Sequence, residues 1–154
     1  MKQQTTNKMV AENRKARYDY FLHEEYVAGL VLEGWEVKSA KAGNVSLAES
    51  FIHLPNDGCE LWLKNAYFAP YKEGDVKNQN TKRNRKLLLH RSEIQKIAKA
   101  CLQKGSTVVP LRLYVDTRGR LKLAVAVAVG KHAYDKKEAI KQRDIAREVK
   151  RILS

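Results

Sequence analysis

Between Leu121 and Val129 the residues Leu121, Leu123, Val125, Val127 and Val129 alternate with Lys122, Ala124, Ala126 and Ala128, and the pattern stops at Gly130. A two-residue period of this length fits a pleated strand with large apolar groups on one face and small ones on the other. Such a strand belongs in a core. Beyond Gly130 the text changes to KHAYDKKEAIKQRDIAREVKRILS, which holds eight Lys/Arg and four Asp/Glu and has no alternation.

Wound as a helix at about 100° per residue, that segment gathers Lys136, Arg143, Arg147 and Lys150 into a stripe roughly 60° wide, with Ile145, Val149 and Ile152 opposite. One reading is a solvated C-terminal helix docked on its own domain. Against it, the apolar stripe begins only at Ile145, so Lys131 to Asp144 has little to dock with, Tyr134 being the lone aromatic there. The pairs Glu138 with Lys141, Asp144 with Arg147 and Glu148 with Arg151 add only tenths of a kcal/mol each, and such a helix is marginal alone. Residues 131–154 are therefore expected to be loose in the free protein and to order as a helix on a polyanionic partner.

The sign of the whole chain agrees with that partner. Thirty Lys/Arg against 17 Asp/Glu leave a formal net charge of +13, which favours nucleic acid over an anionic membrane surface. One domain is expected from 154 residues, 44% of them hydrophobic. No apolar run has the length of a membrane span and the N-terminus lacks the apolar stretch of a signal peptide, so the expectation is a cytoplasmic protein without membrane contact. Cys59 and Cys101 then read as reduced core residues.

Taken in order, residues 1–16 are polar, basic and aperiodic and read as a flexible arm. Tyr18 to Leu32 reads as a long strand, bent by a bulge at Gly29. A short helix from about Gly34 follows, with Val37 and Ala40 inward and Gly43 as its stop. Ser46–Leu54 and Cys59–Tyr67 flank PNDG and make a hairpin. From Pro70 to Arg91 seven Lys/Arg face only Glu73 and Asp75, so the stretch reads as a basic loop, too polar before Leu87 for a core. Ser92 with Gln95 reads as a capping box opening a helix whose inner face is Ile94, Ile97, Ala98, Cys101 and Leu102. Val109, Leu111, Leu113 and Val115 form a strand that turns at DTRGR into the strand at 121–129. Residues 17–130 thus read as a mainly β domain with flanking helices, a small antiparallel β-barrel.

Catalytic signatures do not emerge. His23, His53, His90 and His132 are scattered without metal-ligand spacing, and no P-loop, G-x-S-x-G or G-x-G-x-x-G occurs. Neither an enzyme, a metal site nor a cofactor is expected. A binding surface has more support: Lys82, Arg83, Arg85 and Lys86, with Asn78 and Asn80, supply phosphate and base contacts, joined by Lys122 from the strand. Trp35 and Trp62 read as core residues. A ribosomal or ribosome-assembly protein fits the same charge and size, whereas an RNA-modifying enzyme lacks a candidate nucleophile or base.

Several blocks carry a family resemblance. NRKARYDYFL (13–22), AGLVLEGWEVKSAKAG (28–43), RKLLLHRSEI (85–94), TVVPLRLYV (107–115) and GKHAYDKKEAIKQRD (130–144) resemble, in family order, the bacterial SsrA-binding or small protein B family. The resemblance implies a barrel of the oligonucleotide-binding (OB) type that binds the tRNA-like end of transfer-messenger RNA and brings it to stalled ribosomes for trans-translation. It implies that the tail enters the empty mRNA channel near the small-subunit decoding region, and that alanyl-tRNA synthetase and elongation factor Tu act on the same RNA. Leu88, His90 and Lys122 match positions of the family's RNA-facing surface. Tyr134, Asp135, Lys136 and Lys137 match its ribosome-facing tail motif. The chain departs from the family pattern at Val27, where the family often has Glu, and at Asn78, Gln79, Asn80 and Thr81, where it reads close to N-H-D-P. It departs again at Lys137, where the tail motif commonly has Arg, and at Val129, where a basic residue often precedes the glycine.

Overall fold

The computed structural model describes residues 7–55, 59–72 and 76–131. In chain order these form β1 (Lys8–Glu12), α1 (Lys15–Asp19), β2 (Tyr20–Leu30), α2 (Gly34–Lys41), β3 (Val45–Ser46), β4 (Phe51–His53), β5 (Leu61–Lys64), β6 (Tyr67–Phe68), β7 (Arg85–Leu88), α3 (Arg91–Cys101), β8 (Ser106–Val115) and β9 (Leu121–Gly130). The tail residues 132–154, the PNDG turn at 56–58, the carboxylates Glu73 and Asp75 and the first six residues of the expected arm lie outside the described residues.

The β8–β9 hairpin is the centre of the molecule. Its turn closes on Asp116, whose Oδ1 accepts from the backbone N–H of Arg118 and of Arg120, both at 2.9 Å, and Gly119 takes the φ of +81° that the turn demands. Strand β9 is buried on both faces. Leu123, Val125 and Val127 pack into a core with Leu61, Leu63, Phe68, Leu87 and Ile97. Ala124, Ala126 and Ala128 close a second layer with Ala16, Val109 and Leu111. The small residues are what let α1 approach the strand.

The expected flexible arm is a correction. Over its described part, β1 pairs antiparallel with β8 and Asn13 donates its side-chain amide to Pro110 O at 2.9 Å. Only Val10 and Ala11 in this strand turn toward the interior, too few to show as a period. The open hydrogen-bonding edge of β8 supplies the rest.

From this hairpin the sheet runs β1-β8-β9-β2-β7-β5-β4, every pair antiparallel, with β3 and β6 as a separate two-stranded ribbon. The curl carries β4 back against β8 and β1 against β3. Pairings among the described residues form an open ladder, so they establish a mainly antiparallel β fold with flanking helices but not a closed barrel. The irregularity in β2 falls between Leu22 and Glu25 rather than at Gly29. Gly29 instead pairs on both sides, with Lys122 and with Leu88, and a Cβ there would sit 3.4 Å from that of Leu88.

Helix α3 begins two residues earlier than Ser92 and Gln95 indicate. His90 is its N-cap, and Glu93 Oε1 accepts from the His90 N–H at 3.0 Å. Ile94 and Ile97 are buried as expected, whereas Leu102 lies just past the last turn and is 85% exposed. Cys101 is half-buried; Cys59 is exposed rather than in the core, and neither is in a disulfide. Trp35 is half-buried against the core, whereas Trp62, also half-buried, lies on the side of β5 opposite the inward Leu61 and Leu63 and is not the core residue expected.

Candidate nucleic-acid interface

The hairpin registers line up one continuous row across five strands: Met9, Tyr114, Lys122, Gly29 and Leu88. The row lies on the sheet face opposite the main core. A parallel row beside it runs Glu12, Arg112, Ala124 and Val27. Because Gly29 has no side chain, Lys122 and Leu88 flank bare backbone. Leu88 is 50% exposed and Val27 47%, and Val31 and Met9 are similarly open. Apolar groups standing in water between cations make a face suited to a polyanion with flat, partly apolar units.

Among the residues singled out in the sequence, Lys86, Leu88, His90 and Lys122 are on this accessible side. Lys86 alternates outward from β7, with its Nζ 2.7 Å from Glu60 Oε2. His90 follows Leu88 by two residues and is exposed. Arg112 pairs with Glu25 on the same face. These are surface pairs that contribute at most about 1 kcal/mol each and yield readily to a phosphate.

Arg85 is the correction. Residues 85–88 are not loop but the strand between β2 and β5, and alternation sends Arg85 inward, where it is fully buried. Its Nε donates to Glu36 Oε2 at 2.6 Å, Nη1 to Ala66 O at 2.9 Å and Nη2 to Thr81 O at 3.0 Å. The guanidinium stacks on Phe68, 3.9 Å from the ring centroid. Every direction of its donor fork is committed inside the protein, so Arg85 has no reach to a ligand.

Arg83 belongs to the same knot. It donates from Nη2 to Glu36 Oε1 at 2.5 Å and to Val31 O at 3.2 Å, and from Nε to Glu36 Oε2 at 3.3 Å. Part of its side chain still meets solvent. Glu36 also accepts the N–H of Glu33 at 2.7 Å, capping α2. Burial alone pushes the Glu36 carboxyl up, but the Arg83 hydrogen bonds, the Glu33 N–H and the Arg85 charge outweigh it and hold the group below its ordinary 4.5. Burial likewise brings Arg85 below its usual value.

The sequence reading missed this knot because it set Val37 rather than Glu36 on the inner face of α2. Ala40 is buried as expected, but Glu36 and Ser39 complete the buried stripe and Val37 is only half-buried. A carboxylate at the i position of an inward i, i+3, i+4 set was the available signal, since a buried charge requires a partner.

The segment at 77–82 is stapled to its surroundings. Gln79 accepts from Tyr71 N–H at 2.8 Å and donates back to Tyr71 O at 3.1 Å. Asn80 Oδ1 accepts from the Lys82 N–H at 3.2 Å. Lys82 and Asn80 are left exposed beside the strand face. Among the described residues no group of three or more His, Cys, Asp or Glu is arranged to hold a metal ion, and no helix is long and apolar enough to cross a membrane. The tail positions Tyr134, Asp135, Lys136, Lys137, Arg143, Arg147 and Lys150 lie outside the described residues.

Comparison with known proteins bears on this face. A family model described as SmpB protein matches residues 10–154. The SsrA-binding protein of Coprothermobacter proteolyticus is 50% identical over 145 residues, covering 94% of this chain and 95% of that one. That of Limosilactobacillus reuteri is 44% identical over 151 residues, covering 98% and 94%. A chain in a solved structure described as "tmRNA-SmpB: a journey to the center of the bacterial ribosome" superposes with a TM-score of 0.64 at 47% identity, covering 78% of this chain and 82% of that chain.

Proposed function

The chain belongs to the SmpB family, and from that premise we propose that it binds transfer-messenger RNA, the SsrA RNA, and serves trans-translation. The observation that carries this reading is the five-strand row, in which Lys122 and the half-exposed Leu88 flank Gly29 beyond the part of this face that Ala16 and the Ala124–Ala126–Ala128 layer close. Lys122, Lys86 and the outer part of Arg83 supply phosphate contacts. Leu88, His90 and Val27 meet the sugar and base surface of the RNA's tRNA-like domain, in the manner of an OB-type barrel whose curl brings β4 back to β8. With Val27 in place of an acid, that position adds no negative charge, and the neighbouring Glu25 is offset by Arg112.

The tail completes the proposal. Residues 131–154 occupy the empty mRNA channel of a stalled ribosome as a helix, with Tyr134 to Lys137 at the decoding region and Lys136, Arg143, Arg147 and Lys150 facing ribosomal RNA. Alanyl-tRNA synthetase and elongation factor Tu meet the protein through the same RNA, in the cytoplasm. The test is a titration of transfer-messenger RNA with the full chain at several salt concentrations. Lys122→Glu should weaken binding and lower the salt slope by about one. Unchanged affinity in that variant would overturn the assignment of the face.

A further inference from the structure

Past β7 the open face continues over two more strands that carry aromatic groups. His53 on β4, Trp62 on β5 and Lys86 on β7 form one row, and Phe51 and Lys64 form the next. Ile52, Leu61 and Leu63 take the inward positions, which leaves Phe51, His53, Trp62 and Lys64 on the outer side. Phe51 is 50% exposed on a three-residue edge strand. A large aromatic in water on a sheet edge invites association, and the fold had an inexpensive alternative in any polar residue there. Cross-strand partners stand about 5 Å apart, so Phe51 and Lys64, and His53 and Trp62, each set a flat ring beside a cation or a second ring.

We propose that this β4–β5 wing is a stacking platform for unpaired bases of RNA. The proposal rests on the RNA reading of the neighbouring face. The chemistry selects the ligand. The exposed rings of Phe51 and His53, with the half-exposed ring of Trp62 at strand spacing, suit bases that are not already stacked in a duplex, and sequence tolerance follows because every base offers a π-face. Lys64 and Lys86 meet the connecting phosphates, with Glu60 the one carboxylate that pairs with Lys86 here. Continuity supports the same occupant: Lys86 sits at the junction of the wing and the Lys122–Leu88 row. Four strand steps separate β9 from β4, about 19 Å at the usual spacing, so one RNA reaches both by leaving its helical part on Lys122 and laying an unpaired segment over Phe51 and Trp62. An acidic peptide would use the cations but leave the rings without a partner.

The experiment compares two probes on the full chain, a single-stranded RNA octamer and a blunt RNA duplex, with transfer-messenger RNA as reference. Phe51→Ala, an exposed position that does not endanger folding, should lower affinity for the octamer fivefold or more, leave the salt slope unchanged and leave the duplex unaffected. Lys64→Gln should lower the octamer's salt slope by about one. In a Trp35→Phe background, emission from Trp62 should be quenched by the octamer and not by the duplex. Equal losses for both probes in Phe51→Ala, or no loss with either, would overturn the platform, as would competition by an acidic peptide as effective as the octamer. Lys122→Glu separates the two assignments. If it weakens transfer-messenger RNA binding while Phe51→Ala does nothing, the wing fails and the neighbouring face stands; if neither weakens it, both fail.

Discussion

Two guanidinium groups converge on Glu36, and the consequences are specific to each partner. Arg85→Ala would leave the Glu36 carboxylate buried with only Arg83 beside it. Removing the one partner of a buried charge costs about 3–5 kcal/mol, and the Arg83 bonds that remain hold the loss to the lower end of that range. Urea unfolding should show a loss of that order, while RNA binding by the remaining folded protein keeps its salt slope, because the wild-type Arg85 side chain does not reach solvent. A reduced slope would mean that Arg85 touches phosphate after all. The same residue predicts a pH response. Glu36 is held below its ordinary value in the folded protein, so its contribution is fully present above 4.5 and is lost as pH falls through the depressed folded value. The stability gap between wild type and Glu36→Gln should therefore narrow as pH falls below 4.5. A gap that stays constant or widens on acidification would contradict the assignment.

Elements contribute in proportion to what they cover. Strand β1 covers the outer edge of β8 and continues through Asn13, whose N–H donates to Leu111 O at 2.7 Å. Deleting residues 1–12 would uncover that edge along the longest hairpin of the sheet. The deletion should lower the unfolding midpoint, speed amide exchange over residues 111–115, and give concentration-dependent association in sedimentation, since an open edge pairs with another chain. Wild-type exchange in the truncated protein would show that β1 is dispensable. Strand β7 makes the complementary point. Its alternation splits one basic run into an inward Arg85 and an outward Lys86, so neighbouring residues of like charge do unrelated work.

At the scale of the molecule, charge is divided between a folded face and a tail. Truncation after Gly130 should leave affinity for transfer-messenger RNA within a few fold, because the row through Lys122 and Leu88 is intact, and should abolish peptide tagging on stalled ribosomes. Loss of RNA binding on truncation would reverse this division of labour. The β8–β9 hairpin was legible in the sequence because a two-residue period is imposed by the strand itself and needs no partner to be seen. Leu88 and His90 came from the motif resemblance, Lys86 from the basic run, and Lys122 from both the strand pattern and the resemblance. Arg85 was misassigned, and Glu36 overlooked, because burial of a charge depends on an opposite charge 49 positions away, and no local pattern encodes that meeting. The β1 edge was hidden because its pairing with β8 is equally distant in sequence, whereas the β4–β5 hairpin was read from its turn signal and only the outward side of Trp62 was missed. Local periodicity and net charge determined by themselves that this is a basic, strand-rich domain. Which cations face water was decided only by the tertiary pairing of β7 between β2 and β5, since strand alternation assigns every other residue to the interior once register is set.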